Sequence, residues 1–319
     1  IESIRNFGLI GVYVLEPAEP LPPMTQEDLE FERFQIKAVS AIEEELDRIL
    51  KTRKQSRIQT IADMVIRNYG HLDEKINFYQ NLRSLEDYVS RHSLNVAILC
   101  AMITHVMNIR REEQYHTVCA ALLHDMGKLK KHADVYFGAP YSREDAIRNC
   151  ETQEEAYSVI EDAFATEGPA IRRICQQAAG KQLDLFPEEG KESRYKMLEG
   201  SNVLLVANRY DEITAMTLQG TAQSEVKAAQ ELLEHPEVYD PETVQALLRS
   251  INILPPGASV ELSTGEKALV LSENEENVLR PTVVSFRDNS ILNLALPQNE
   301  DIQIVDVMKT MDNRYILKK

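Results

Sequence analysis

The sequence predicts a mainly α-helical protein that ends in a small β-rich appendage. Three observations carry this prediction. Apolar residues recur at helical spacing in successive segments from about residue 25 to about residue 250. Over that stretch no alternating apolar and polar run of any length appears. After Ile251 the character changes: LPPGASVELSTGEKALVL brings Pro-Pro-Gly and then short β-rich runs divided by Thr-Gly-Glu.

Taken in order, LIGVYVL at 9–15 reads as a strand, and the PAEPLPPM that follows is a connector that cannot be helical. Thr25 opens TQED, an N-cap with an acidic residue three places on. Phe31, Phe34, Val39, Ile42, Leu46 and Ile49 then mark one face of a long amphipathic helix. That face suits packing on the rest of the chain; a homodimer through this N-terminal helix is the alternative. Ser56 with Gln59 signals a second start, for RIQTIADMVIRNYG, which Gly70 closes. Ser84 with Asp87 caps a helix carrying His92, Val96, Leu99, Ile103 and Val106, so His92 shares a stripe with core residues. A further helix runs from about Arg111 to Met126, and helical patterns continue to about residue 250, with loops near 137–142 and 180–194. ENVLRPTVVSF and SILNLAL extend the β-rich end. The resulting division is 1–83, 84–250 and 251–319.

The net charge of −16 disfavours nucleic-acid polymers, whose phosphates this surface would repel on average. A small anionic substrate stays open, because a bound cation reverses the local field. The apolar stretch at 9–15 is too short to span a membrane, so no membrane partner is expected. Cys100, Cys119, Cys150 and Cys175 are widely spaced without a CxxC pair, which fits reduced thiols in a cytoplasmic protein.

The chemistry concentrates in AALLHDMGKL at 120–129, where an apolar run leads into His124 and Asp125. A buried carboxylate needs a compensating charge, and a metal ion supplies one. Adjacent helical residues point about 100° apart, so both can reach one ion off the last turn, where the helix dipole also favours a cation. His92 can add a third ligand from its core-facing stripe. Imidazole with carboxylate suits iron, manganese or zinc. Singly, a histidine on an apolar stripe is more often a hydrogen-bonded core residue. His105 and His116 have no partner motif, and His132 with Asp134 fits a solvated loop.

RHSLNVA at 91–97 and AALLHDMGKL at 120–129 resemble the two leading motifs of the HD-domain phosphohydrolase superfamily. They are most similar to its HD-GYP subgroup, whose best-known activity is hydrolysis of cyclic di-guanylate. LLVANRYDEITAM at 204–216 resembles the segment written Val-Ala-Asp-x-x-Asp-Ala-Leu-Thr, and LPPGASVELSTGEKALVL at 254–271 with LRPTVV at 279–284 resembles the β tail that often follows such domains. The resemblance spans about Ser84 to Val284 and implies an HD-type helical bundle. It implies that His92, His124 and Asp125 bind metal and that Lys128 contacts a substrate phosphate. Asn208 stands where the family has its last metal-binding aspartate. Asp211 matches the second aspartate, which is not usually a ligand, and is expected on the substrate side.

The middle of the domain departs from the subgroup. No histidine occurs between His132 and His235, Cys150 falls where an extra histidine would be, and ICQQAAGKQLDLFP replaces His-His-Glu and the Gly-Tyr-Pro loop. Cys150 and Cys175 read as buried neutral thiols ahead of replacement ligands. Two functions follow as alternatives. One is a metal-dependent phosphohydrolase acting on a nucleotide or other phosphate ester with one divalent ion, with Asp125 and Lys128 as catalytic residues. The other is an inactive HD-GYP-like signalling or interaction module.

Overall fold

The computed structural model describes residues 26–78, 80, 82–130, 142–186, 196–217 and 222–308. The strand expected at 9–15, the cap at Thr25 and the His132–Asp134 pair lie outside these residues. Nine α-helices precede a five-stranded antiparallel sheet among the described residues: α1 (Gln26–Thr52), α2 (Ile58–Tyr69), α3 (Tyr88–Val106), α4 (Arg111–Leu123), α5 (Arg143–Phe164), α6 (Gly168–Gln182), α7 (Glu199–Thr214), α8 (Glu225–Glu234) and α9 (Pro241–Ser250). A short 3₁₀ turn, Met126–Lys130, follows α4. No helix among the described residues is long and apolar enough to cross a membrane.

Two helices lie at the centre. Helix α3 is buried from Leu94 through Thr104 on every face, and α7 is buried over most of its length. Burial on all sides is expected of a helix that is apolar all round, as α3 nearly is beyond Asn95. The buried polar residues of both helices, among them His92, Asn95, Asn208 and Asp211, need partners inside the protein.

Helix α1 packs Ala38, Ile42, Leu46 and Ile49 into this core. The stripe that offered a dimer surface is thus used within the chain from Ala38 onward. The start of α2 differs from the expected cap. Gln59 donates to Glu167 instead of closing a capping box, and Arg57 occupies the N-cap position. The buried Glu45 of α1 accepts the backbone N–H groups of Ser56 and Arg57 in its place. A carboxylate at a helix N-terminus satisfies orphan donors and complements the dipole. Gly70 does cap α2, but at φ −79, so no left-handed residue is needed. Ser84 and Asp87 form their reciprocal bonds one turn ahead of α3, Ser84 N to Asp87 Oδ1 at 2.8 Å and Asp87 N to Ser84 Oγ at 3.3 Å.

The sheet comprises β1 (Ser259–Leu262), β2 (Lys267–Ser272), β3 (Thr282–Ser285), β4 (Ile291–Asn293) and β5 (Ile304–Val307), in spatial order β4-β3-β2-β1-β5. Alternate residues Val260, Leu262, Ala268, Val270 and Val283 are buried, the period-two pattern of a sheet covered on one face. Gly265, at φ +77, turns β1 into β2 within the Thr-Gly-Glu segment. The β5 edge packs on α8, where Gln230 Nε2 donates to the Ile304 carbonyl at 2.9 Å.

Candidate metal centre

Helix α4 ends at Leu123, and His124 is its C-cap. The His124 Nδ1–H donates to the Ala121 carbonyl at 2.8 Å, one of the carbonyls a helix end leaves without a partner. Its Nε2 therefore points away from the helix with its lone pair free. The His124 carbonyl in turn accepts from Tyr157 Oη of α5 at 2.9 Å, which fixes the turn.

His92 is held by the same logic from the other side. Its Nδ1 donates to Asp211 Oδ2 at 2.6 Å. The two Nε2 atoms then meet 3.1 Å apart. Asn208 Oδ1 lies 2.9 Å from each of them. Asp125 Oδ2 is 3.4 Å from His92 Nε2, and Asp125 Oδ1 is 3.8 Å from His124 Nε2. His92, His124 and Asp125 are the group of metal-ligating side chains among the described residues whose donor atoms all lie within 4.8 Å of one another, and all three are buried.

These atoms are lone-pair acceptors facing one another with little proton supply between them. Such a set is repulsive by itself and is satisfied by a cation. The spacings fit one. Bonds of about 2.1 Å to a first-row metal imply ligand–ligand edges of about 3.0 Å in an octahedron and about 3.4 Å in a tetrahedron. The separations of 2.9, 2.9, 3.1 and 3.4 Å match those edges, and the 3.8 Å between Asp125 and His124 exceeds them by a few tenths of an ångström. The side chains present thus fit a single divalent ion.

The electrostatics agree. Burial, the largest influence, lowers the pKa of His124, so its ring is neutral and able to ligate. Burial pushes the Asp125 carboxyl up, but Lys128, followed by the two imidazoles, holds it down to about 2. The Lys128 ammonium, itself buried, lies 2.6 Å from Asp125 Oδ2. Gln153 of α5 donates to Asp125 Oδ1 at 3.1 Å, while its own Oε1 accepts the Gly127 N–H at 2.9 Å. Gly127 is obligatory for that approach: a Cβ there would sit 2.6 Å from Gln153 Oε1 and from the Thr152 carbonyl oxygen.

Asp211, expected on the substrate side, is fully buried and its carboxylate is saturated. Arg83 binds it bidentately at 2.7 and 2.8 Å, and Asn95 and Gln80 donate to it at 3.0 and 2.9 Å, in addition to His92. Burial raises its pKa, but Arg83 more than reverses this and the carboxyl ionises far below the usual range. Asp211 therefore orients the His92 ring. Lys128 also has a first partner other than phosphate, namely Asp125.

A cavity of ≈ 20 Å³ opens beside His124, Asp125 and Asn208, also lined by Cys150, Gln153, Cys175 and Glu212. It has room for about one water. Cys150 and Cys175 lie on its wall but outside the ligand group, and burial raises both thiol pKa values, which leaves them neutral. His105 pairs with Asp73 at 2.8 Å near the surface, away from the site.

Three contributors were not visible in the sequence. Arg83 and Gln153 belong to no motif and reach the site only through tertiary packing. Glu212 falls where the resembling segment has alanine, one turn beyond Asn208, and that departure was the available signal.

Comparison with known proteins agrees with the geometry. The family model for the HD domain matches residues 89–216. No curated protein and no solved structure gives a significant match.

Proposed function

Through residues 89–216 the chain belongs to the HD-domain superfamily of metal-dependent phosphohydrolases, and on that premise we propose that it holds one divalent ion, iron, manganese or zinc, and hydrolyses a nucleotide or similar phosphate ester. The observation that carries this reading is the convergence of His92 Nε2, His124 Nε2, Asn208 Oδ1 and Asp125, with both Nδ1 atoms tied back. A bound ion supplies water acidification and polarisation of a phosphoryl oxygen.

The chain's own residues do the rest. Asp211 and the Ala121 carbonyl hold the two imidazoles in the ligating tautomer. Gln153 and Lys128 fix the two oxygens of Asp125, and Asp125 orients the attacking water. Lys128 neutralises phosphate charge once its ion pair with Asp125 loosens. Asn208 gives a neutral amide in place of a carboxylate, Glu212 on the cavity wall accepts from Gln182 and Arg209, and among the described residues only His92, His124 and Asp125 gather as a ligand group, so one ion is proposed. The likeness to HD-GYP domains is part of this proposal, with their dinuclear route excluded from it.

A second reading, a signalling or interaction module without turnover, is favoured by the ≈ 20 Å³ cavity and by the commitment of Lys128 to Asp125. The ion would then serve structure. The test is hydrolysis of p-nitrophenyl phosphate and bis-p-nitrophenyl phosphate by protein loaded separately with each ion. Turnover that is lost in His124→Ala supports the enzyme. Stoichiometric metal with no turnover of either ester supports the module.

A further inference from the structure

We propose that Arg83 is a positioning residue for the metal centre: acting through Asp211, it fixes His92 in the tautomer whose Nε2 lone pair faces the ion. The inference rests on the metal reading above and deepens it.

Arg83 lies outside the matched residues 89–216, on the strap ahead of α3, of which 76–78, 80, 82 and 83 are described. The strap is sewn down at both ends. Ile76 N–H donates to the Ser250 carbonyl at 3.2 Å and the Ile76 carbonyl accepts from Asn252 N–H at 2.9 Å. At the other end Arg83 N–H donates to the Met216 carbonyl at 2.8 Å, just past α7. This delivers the guanidinium, 1% exposed, as a two-pronged fork onto Asp211. Gln80 of the same strap donates to Asp211 and accepts from Arg83 Nη2 at 2.6 Å.

A buried ion pair is weak support for stability, because desolvation offsets its attraction. What distinguishes this one is its third member. The oxygen that takes Arg83 Nη1 also takes the His92 Nδ1–H, and His92 Nε2 is the atom aimed at Asn208 and His124. Donor counting makes the role specific. Asp211 Oδ1 receives Arg83 Nη2, Asn95 and Gln80, whereas Oδ2 receives Arg83 Nη1 and His92. In Asp211→Asn the single remaining oxygen goes to the side with three donors. The amide NH₂ then faces His92, whose Nδ1 must accept and whose proton moves to Nε2, which removes the lone pair from the ion.

The experiment combines zinc titration of chelator-stripped protein with ¹⁵N spectra of the histidine rings in the metal-free state. Variants are Asp211→Asn, Arg83→Met and Arg83→Lys, each checked for native circular dichroism. Wild type shows His92 as the Nδ1–H tautomer. Asp211→Asn switches it to Nε2–H, and Arg83→Met mixes the two. Both lose zinc affinity by about 10–100-fold. Arg83→Lys, which keeps the charge but not the fork, falls between. A folded Arg83→Met protein with unchanged His92 tautomer and zinc affinity would overturn the proposal, and so would a folded Asp211→Asn protein with both unchanged. If wild type itself takes no zinc, the metal reading falls alone, and the tautomers of the metal-free variants still decide for or against Arg83. Should Arg83→Met not fold, Arg83→Lys, which keeps the charge and loses the fork, carries the decision.

Discussion

Lys128→Met separates the two jobs assigned to this lysine. The ammonium lies 2.6 Å from Asp125 Oδ2, with side chains 1% and 5% exposed. At an effective dielectric of about 20 that attraction is about 6 kcal/mol gross. Removing one partner of a buried pair costs about 3–5 kcal/mol, since the other charge is left behind. Methionine keeps most of the apolar stem, so the loss is electrostatic and not a cavity. At about 2–4 °C per kcal/mol for a body of this size, metal-free Lys128→Met should melt about 6–20 °C lower than wild type. A divalent ion at the centre replaces the missing cation. The loaded variant should therefore recover most of the loss, and by mass action its zinc affinity should rise above wild type by the same free energy. Thermal melts and zinc titrations at neutral pH read both quantities. A folded variant that melts with wild type, or that binds zinc more weakly, would refute the reasoning, because Lys128 would then not be the counter-ion of Asp125.

Other perturbations probe the remaining walls of the site. Asn208→Asp places a carboxylate where an amide oxygen lies 2.9 Å from both Nε2 atoms, so zinc affinity should rise by at least about tenfold in a direct titration; an unchanged affinity means that this oxygen does not face the ion. Gly127→Ala forces a Cβ to 2.6 Å from Gln153 Oε1 and the Thr152 carbonyl, and should cost about 1–3 kcal/mol by urea denaturation. Native protein treated with a thiol reagent should react first at the half-buried Cys150, with Cys100, Cys119 and Cys175 following only on unfolding, since burial raises all of their pKa values; rapid labelling of Cys175 in folded protein would contradict the packing.

Local chemistry made much of this structure legible. Helical periodicity located α1 through α4, and Pro-Pro-Gly followed by Thr-Gly-Glu marked the passage to the sheet. His92, His124 and Asp125 could be named because HD and RHS are contiguous motifs, and the structure brings their donor atoms together with Asn208. The partners of those residues were hidden, because a hydrogen bond across 128 residues, such as Arg83 to Asp211, leaves no trace in spacing. Gln153 and Lys128 converge on Asp125 from different elements, so only one of them sat in a readable motif. The neighbours of Asp211 were hidden for the same reason, since position on α7 does not reveal which residue fills the space in front of a side chain. The capping box of Ser56 and Gln59 does not form because Glu45, on the preceding helix, takes the Ser56 N–H that Gln59 would have accepted, together with that of Arg57.

The central claim is a single-ion centre built from His92, His124, Asp125 and Asn208. Elemental analysis of protein purified without chelator, repeated after equilibration with iron, manganese or zinc, tests it most directly. The account predicts about one equivalent of metal in wild type and none in His124→Ala. Folded wild-type protein that stays metal-free with all three ions, or that takes up two equivalents, would contradict it.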